Sequence, residues 1–136
     1  MSEEPLKPPP TIDPDSADYW AALQDQRLIV KSCRACGLSH FYPRALCPHC
    51  HSDDLGWIEA GGEGEIYSYT ICHRPAGPAF AAEVPYVVAL VTLAEGPRMM
   101  TRIIGAIETA TIGQKVRVRF ERQGGDTVLP FFEAVA

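Results

Sequence analysis

The sequence predicts a mainly β protein: a short N-terminal helix, a small metal-clipped ribbon, then a barrel of five short antiparallel strands. Three observations predict it. Two C-x2-C pairs, Cys33/Cys36 and Cys47/Cys50, are separated by ten residues. From residue 61 onward, apolar and polar residues alternate in runs broken by turn residues, the period of strands with one buried face. Twelve prolines and eleven glycines among 136 residues favour short strands and turns over long helices.

The elements follow in order. Residues 1–14 read as a disordered or extended lead-in, because prolines at 5, 8, 9, 10 and 14 forbid a helix. "DSADYWAALQDQRL" then reads as a helix capped by Asp15 or Ser16, with Tyr19, Trp20, Leu23 and the stem of Arg27 forming its apolar stripe. A helix this short is marginal in water, so its Tyr19/Trp20 face must pack on the protein or on a partner. "RLIVKSC" runs as a strand into the first cysteine pair, and "LGWIEA" leaves the second. "GEGEIYSYTICHR" is the first barrel strand. "PYVVALVTLAEGPRMMTRIIG" reads as a hairpin turning at Glu95-Gly96-Pro97, and "IGQKVRVRFERQGGDTVLPFFEAV" as a second turning at Gly124-Gly125-Asp126. The linker "ETATIG" is too short for a substantial helix. Five short strands with few helices suggest a closed barrel, of which the OB-fold is the five-stranded form. The expected division is therefore a lead-in at 1–14, helix and ribbon at 15–60, and an OB-fold at 61–136.

The cysteine spacing carries the strongest chemistry. A C-x2-C turn aims two thiolates at one centre, and two such turns complete the tetrahedron that zinc prefers. Iron shares the four-sulfur geometry, so the spacing leaves zinc and iron both open. Cys33, Cys36, Cys47 and Cys50 fill every position, and a closed four-thiolate site is structural, with no open coordination position for catalysis. His40, in the hairpin tip, and His49, inside the second turn, read as surface residues. His51 occupies the position after the second pair where Gly37 follows the first, so it is expected to take a left-handed conformation.

The formal net charge is −5, unlike a protein built to grip phosphate backbones. Charge is unevenly spread: residues 27–51 carry four bases and no acid, and residues 98–122 carry six bases against two acids. No apolar run is long enough for a membrane-spanning helix, and the acidic, proline-rich start lacks the apolar region of a signal peptide. The expected location is cytoplasmic, where the five cysteines stay reduced and a cluster of them binds metal.

"CRACGLSHFYPRALCPHCHS", "GGEGEIYSYTICHRP", "VPYVVALVTLAEGPRMMTRIIG", "IGQKVRVRFE" and "LPFFEA", in that order, resemble the acyl-CoA-associated OB-fold proteins, a family formerly grouped as a domain of unknown function. The resemblance covers residues 15–134. It implies an N-terminal helix, a rubredoxin-like zinc ribbon with Cys33, Cys36, Cys47 and Cys50 as ligands, and a C-terminal OB-fold. It also implies a non-catalytic partner of thiolase-superfamily enzymes, in a hetero-oligomer, that binds acyl-CoA or bridges subunits in acyl-CoA, lipid or steroid side-chain metabolism.

Three functions are weighed on the residues. An acyl-CoA binder offers a few bases near an apolar groove. The loop "CHRPAGPAF" supplies His73 and Arg74, with Phe80 and Tyr86 flanking it as core residues or partner anchors. Single-stranded nucleic acid is the alternative ligand, since Tyr67 and Tyr69 stand at i and i+2 and so are expected to share one face. The acidic balance and only three lysines argue against it. Independent catalysis has no support: no phosphate-binding loop, no nucleophile elbow and no open metal site are present, and Cys72 and His73 are adjacent on a strand and point to opposite faces.

Overall fold

The computed structural model describes residues 7–105, 107–123 and 126–135. Among the described residues one α-helix, α1 (Ala17–Gln24), precedes eight strands: β1 (Leu28–Cys33), β2 (Ser39–His40), β3 (Leu55–Ala60), β4 (Glu63–Cys72), β5 (Tyr86–Leu93), β6 (Arg98–Ile104), β7 (Lys115–Gln123) and β8 (Thr127–Ala134). Among the described residues no helix is long and apolar enough to cross a membrane.

The helix is shorter than its sequence pattern suggests. Asp25 closes it, and Gln26 turns the chain out at φ 57°. Arg27 is consequently no part of the apolar stripe: it is exposed, and its Nε donates to Glu59 Oε1 at 2.5 Å. Ser16 stands at the N-cap but makes no side-chain bond into the helix. Instead Asp13 Oδ1 accepts from the Ser16 amide at 2.9 Å and from its hydroxyl at 2.7 Å, pinning the entry turn from one side. Tyr19, Ala22 and Leu23 are buried, and Trp20 is half-buried with its Nε1 donating to the Tyr42 hydroxyl at 3.0 Å.

β1 is the centre of a three-stranded antiparallel sheet ordered β2-β1-β3, in register Leu28 opposite Ala60 through Cys33 opposite Leu55. The other five strands close a barrel ordered β4-β5-β6-β8-β7. Antiparallel pairs make the walls, and a short parallel pairing of Ile103 and Ile104 with Phe132 and Glu133 closes the ring. The inward residues include Ile66, Val87, Ala89, Val91, Leu93, Met99, Ile103, Val116, Val128 and Phe132. Thr101, also buried, satisfies its hydroxyl by donating to the Pro130 carbonyl at 2.7 Å. Gly64 sits where β4 pairs with both β5 and β7; a Cβ there would lie 2.5 Å from Val91 Cγ1 and 2.8 Å from the Thr92 carbonyl oxygen, so the barrel wall closes only on glycine.

Helix, ribbon and barrel share one hydrophobic cluster: Tyr19, Leu23, Leu28, Val30 and Ala60 are continuous with the barrel residues. The Tyr19/Trp20 face therefore meets the protein itself. The first hairpin turns at Ala94–Pro97 as expected, and among its described residues the linker before β7 holds a single-turn 3-10 helix (Ile107–Thr109). The second expected turn, Gly124-Gly125-Asp126, lies mostly outside the described residues.

Candidate metal centre and barrel loop

The two cysteine turns are built alike. In the first, the Cys33 amide donates to the Leu38 carbonyl at 3.0 Å and the Gly37 amide to the Cys33 carbonyl at 2.9 Å. In the second, the Cys47 amide donates to Ser52 at 2.9 Å and the His51 amide to the Cys47 carbonyl at 2.8 Å. Gly37 has φ 78° and His51 φ 67°, so the histidine takes the left-handed position that glycine fills in its counterpart. Each turn also points an amide at its leading sulfur, Cys36 N to Cys33 Sγ at 3.5 Å and His49 N to Cys47 Sγ at 3.4 Å.

Together the turns bring four Sγ atoms within 4.8 Å of one another, with Cys33–Cys50 at 3.5 Å and Cys36–Cys47 at 3.7 Å. Disulfide sulfurs lie about 2.05 Å apart, so these are four separate thiols. A tetrahedral zinc with Zn–S near 2.3 Å places its sulfurs about 3.8 Å apart. The cluster fits that ion with little adjustment. The charges fit it too. Burial works to raise the Cys47 thiol, but the amides of Cys50 and His49 outweigh it and bring it down to about 6. The Ser52 amide works to lower Cys50, yet the facing Cys33 sulfur and desolvation prevail and push it up to about 12. A cation between four sulfurs this close would favour the thiolate form of each. Cys33, Cys36, Cys47 and Cys50 form a structural metal site, and the fifth cysteine, Cys72, is half-buried on β4 and outside it.

The histidines divide. His49 and His51 are exposed. His40 is not the surface residue its hairpin position suggests: it lies on β2 opposite Lys31, is 4% exposed, and neither ring nitrogen has a hydrogen-bond partner. Burial first, then the neighbouring Arg44 and Lys31, lower its pKa and favour the neutral ring. Arg34 pairs with Asp54 at 3.0 Å, which neutralises part of the positive charge of residues 27–51.

The barrel residues singled out in the sequence do not form one site. His73 and Arg74 are exposed at the start of the β4–β5 loop and make no side-chain hydrogen bond or ion pair among the described residues. Phe80 is half-buried in a 3-10 turn (Pro78–Phe80), its ring 6.5 Å from that of Tyr86. Tyr67 and Tyr69 do not share a face. A bulge between Ile66 and Ser68 shifts the register, leaving Ser68 opposite the exposed Leu90 and Tyr69 opposite the buried Ala89. Tyr67 lies under the Arg98 guanidinium, 3.7 Å from ring centroid to Cζ.

Sequence reasoning missed the charged cluster beside Phe80. Glu83 accepts from Lys7 at 2.6 Å and from Arg102 at 2.7 Å, while Arg102 lies over the Tyr86 ring at 4.6 Å and Lys7 over Phe80 at 5.3 Å. Desolvation works to raise Glu83, but the hydrogen bonds from Lys7 and Arg102 outweigh it and hold its carboxyl below the ordinary range. A cavity of about 380 Å³ opens here, lined by Lys7, Arg102, Arg122, Tyr86 and Phe131. No local signal joins residues 7, 83 and 102; only the barrel's closure does.

A closed four-sulfur ribbon followed by a five-stranded OB barrel defines a zinc-ribbon/OB-fold protein. The chain belongs to the ChsH2-type DUF35 family: residues 20–56 match the model of the "ChsH2, rubredoxin-like zinc ribbon domain", and residues 57–121 that of the "ChsH2, C-terminal OB-fold domain". It is 41% identical over 128 residues to the "Probable enoyl-CoA hydratase alpha subunit" of Thermomonospora curvata, covering 93% of this chain but only 40% of that relative's length. It is 33% identical over 118 residues to a "DUF35 domain-containing scaffold protein" of Methanocaldococcus jannaschii, covering 82% of this chain and 83% of the relative. Among solved structures, one described as "Ltp2-ChsH2(DUF35) aldolase" superposes with a TM-score of 0.83 at 39% identity, over 93% of this chain and 99% of that one.

Proposed function

We propose that this chain is a non-catalytic accessory subunit that scaffolds a thiolase-superfamily enzyme acting on acyl-CoA in lipid or steroid side-chain metabolism. The observation that carries this is the match, over 99% of its length, to a chain of a structure whose name joins ChsH2 to Ltp2 and calls the whole an aldolase. The scaffold proteins among its relatives point the same way. The residues support the non-catalytic part. The metal shell is closed by sulfur, and Glu83 is neutralised by Lys7 and Arg102. Acyl-CoA contact has its best support at the loop of His73, Arg74 and Phe80; the cavity on the far side of Tyr86 holds Lys7, Arg102 and Arg122 together with Glu83 and Glu121, so its charge is mixed. Reduced thiols at the metal site fit a cytoplasmic location.

The test is acyl-CoA turnover by this chain alone, by the thiolase-superfamily enzyme of the same organism alone, and by the two co-expressed. The reading expects no turnover by this chain and a co-purified pair more active than the enzyme alone. Turnover by the isolated chain overturns it.

A further inference from the structure

An antiparallel barrel strand ordinarily buries one face and wets the other. β5 does not follow that rule. In "YVVALVTL" only Thr92 and the Tyr86 hydroxyl are polar, so the strand is apolar on both sides. Val87, Ala89, Val91 and Leu93 fill the barrel. Val88, Leu90 and their cross-strand neighbours lie outside it: Leu90 pairs with Ser68 and Met100, and Val88 with Thr70 and Arg102. Met100 is 67% exposed and Leu90 38%, with Tyr67 beside them at 50%. A shallow depression of about 240 Å³ runs along this face between β4, β5 and β6.

Arginines stand at both ends of the β6 side of the patch, Arg98 at one and the Glu83-paired Arg102 at the other. Arg98 makes no ion pair among the described residues; it donates to Thr92 Oγ1 at 3.3 Å and lies over Tyr67. Of the carboxylates nearby, Glu65 is committed to Lys115 at 2.6 Å and Glu83 to both Lys7 and Arg102, while Glu63 stands farther along β4, beyond Glu65, at the edge of the hollow that Tyr67 and Thr92 line. A twofold pairing of this face with a second copy would therefore bring its arginine-edged borders together. Nucleic acid, which OB barrels take on this face, needs open aromatic platforms. Here the Tyr67 ring is covered by Arg98 and the centre is aliphatic. Tyrosine, methionine and arginine around an apolar centre are what protein interfaces enrich.

We infer that the outer face of β4–β5–β6, centred on Leu90 and Met100, docks a different protein whose apolar patch is bordered by a carboxylate set against Arg98. The inference rests on the scaffold reading and names the surface that performs it. The experiment measures Kd between this chain and the co-expressed thiolase-superfamily enzyme. Met100→Glu, Leu90→Glu and Arg98→Glu are each expected to weaken binding at least about tenfold. Arg119→Glu, on the strand across the barrel, is expected to leave it unchanged. Met100→Glu is the safeguard should Leu90→Glu disturb folding, and every variant is checked for wild-type Tm and zinc content. If the complex forms but Met100→Glu and Arg98→Glu bind like wild type, this face is not the dock and the scaffold reading stands. If no complex forms, that reading falls and the inference with it. A wild-type homodimer that Met100→Glu dissociates, or Arg98-dependent binding of a fluorescein-labelled oligothymidylate, would overturn the heterologous protein partner.

Discussion

Replacing Cys47 with serine removes one of four sulfurs from a cluster whose spacing leaves no alternative ligand. Cys47 is fully buried, and His49 and His51, the nearest other donors in sequence, are exposed. The sulfur separations of 3.5 and 3.7 Å approach the edge of about 3.8 Å that a zinc tetrahedron requires. The ion thus binds a nearly preformed cage in the folded chain and no cage in the unfolded one. A structural zinc contributes on the order of 10–16 kcal/mol at pH 7, comparable to the roughly 5–15 kcal/mol that keeps a whole domain folded. Forfeiting even ~3 kcal/mol of that lowers Tm by about 10 °C in a chain this long. The assay pairs metal content by elemental analysis with thermal unfolding followed by circular dichroism. Wild type and Cys72→Ser are expected to hold one zinc per chain and to melt alike. Cys47→Ser, and wild type treated with a chelator, should lose the metal and melt at least 10 °C lower. A metal-replete Cys47→Ser with the wild-type Tm would refute the structural role of the site.

Three further outcomes follow from the same geometry. His51→Gly relieves a left-handed histidine at φ 67°, partly offset by the looser unfolded chain, and should raise stability by up to about 1 kcal/mol in denaturant titration; His51→Val should lower it. Leu23→Ala empties a fully buried position between helix and barrel and should cost about 2–5 kcal/mol by the same titration without loss of zinc. Glu83 is held below its unfolded pKa, so its contribution is complete above the ordinary carboxylate value of about 4.3 and fades as pH falls through the lowered folded-state value. Glu83→Gln should therefore flatten the dependence of Tm on pH over that acidic range, and an unchanged slope would show that the Lys7–Glu83–Arg102 contacts contribute nothing to folding.

Much of this architecture is legible in the sequence because its causes are local. The C-x2-C turns encode their own geometry, down to the left-handed residue that follows each pair, which is why His51 could be anticipated from Gly37. Alternation places the barrel strands because a half-buried strand must alternate. What was hidden depends on distant neighbours or on one inserted residue. The bulge at Ile66/Ser68 separates Tyr67 from Tyr69, and a period-2 count carries straight across it. His40 is buried only because β2 folds back on β1, and its polarity gave no hint of that. The helix ends early because Gln26 takes a positive φ, although the apolar stripe invited continuation to Arg27. Lys7, Glu83 and Arg102 meet only through the barrel. The two-sided apolarity of β5 stood in plain view as "YVVALVTL", yet without the register it could not be told from an ordinary buried strand.

As the proposed subunit of a larger enzyme, this small zinc-ribbon/OB-fold chain should travel with that enzyme. Native mass spectrometry of the chain co-expressed with the thiolase-superfamily protein of the same organism tests it most directly. A stable hetero-oligomer with one zinc bound per copy of this chain is expected. A metal-replete chain that appears only by itself, at any ratio of the two proteins, would contradict it.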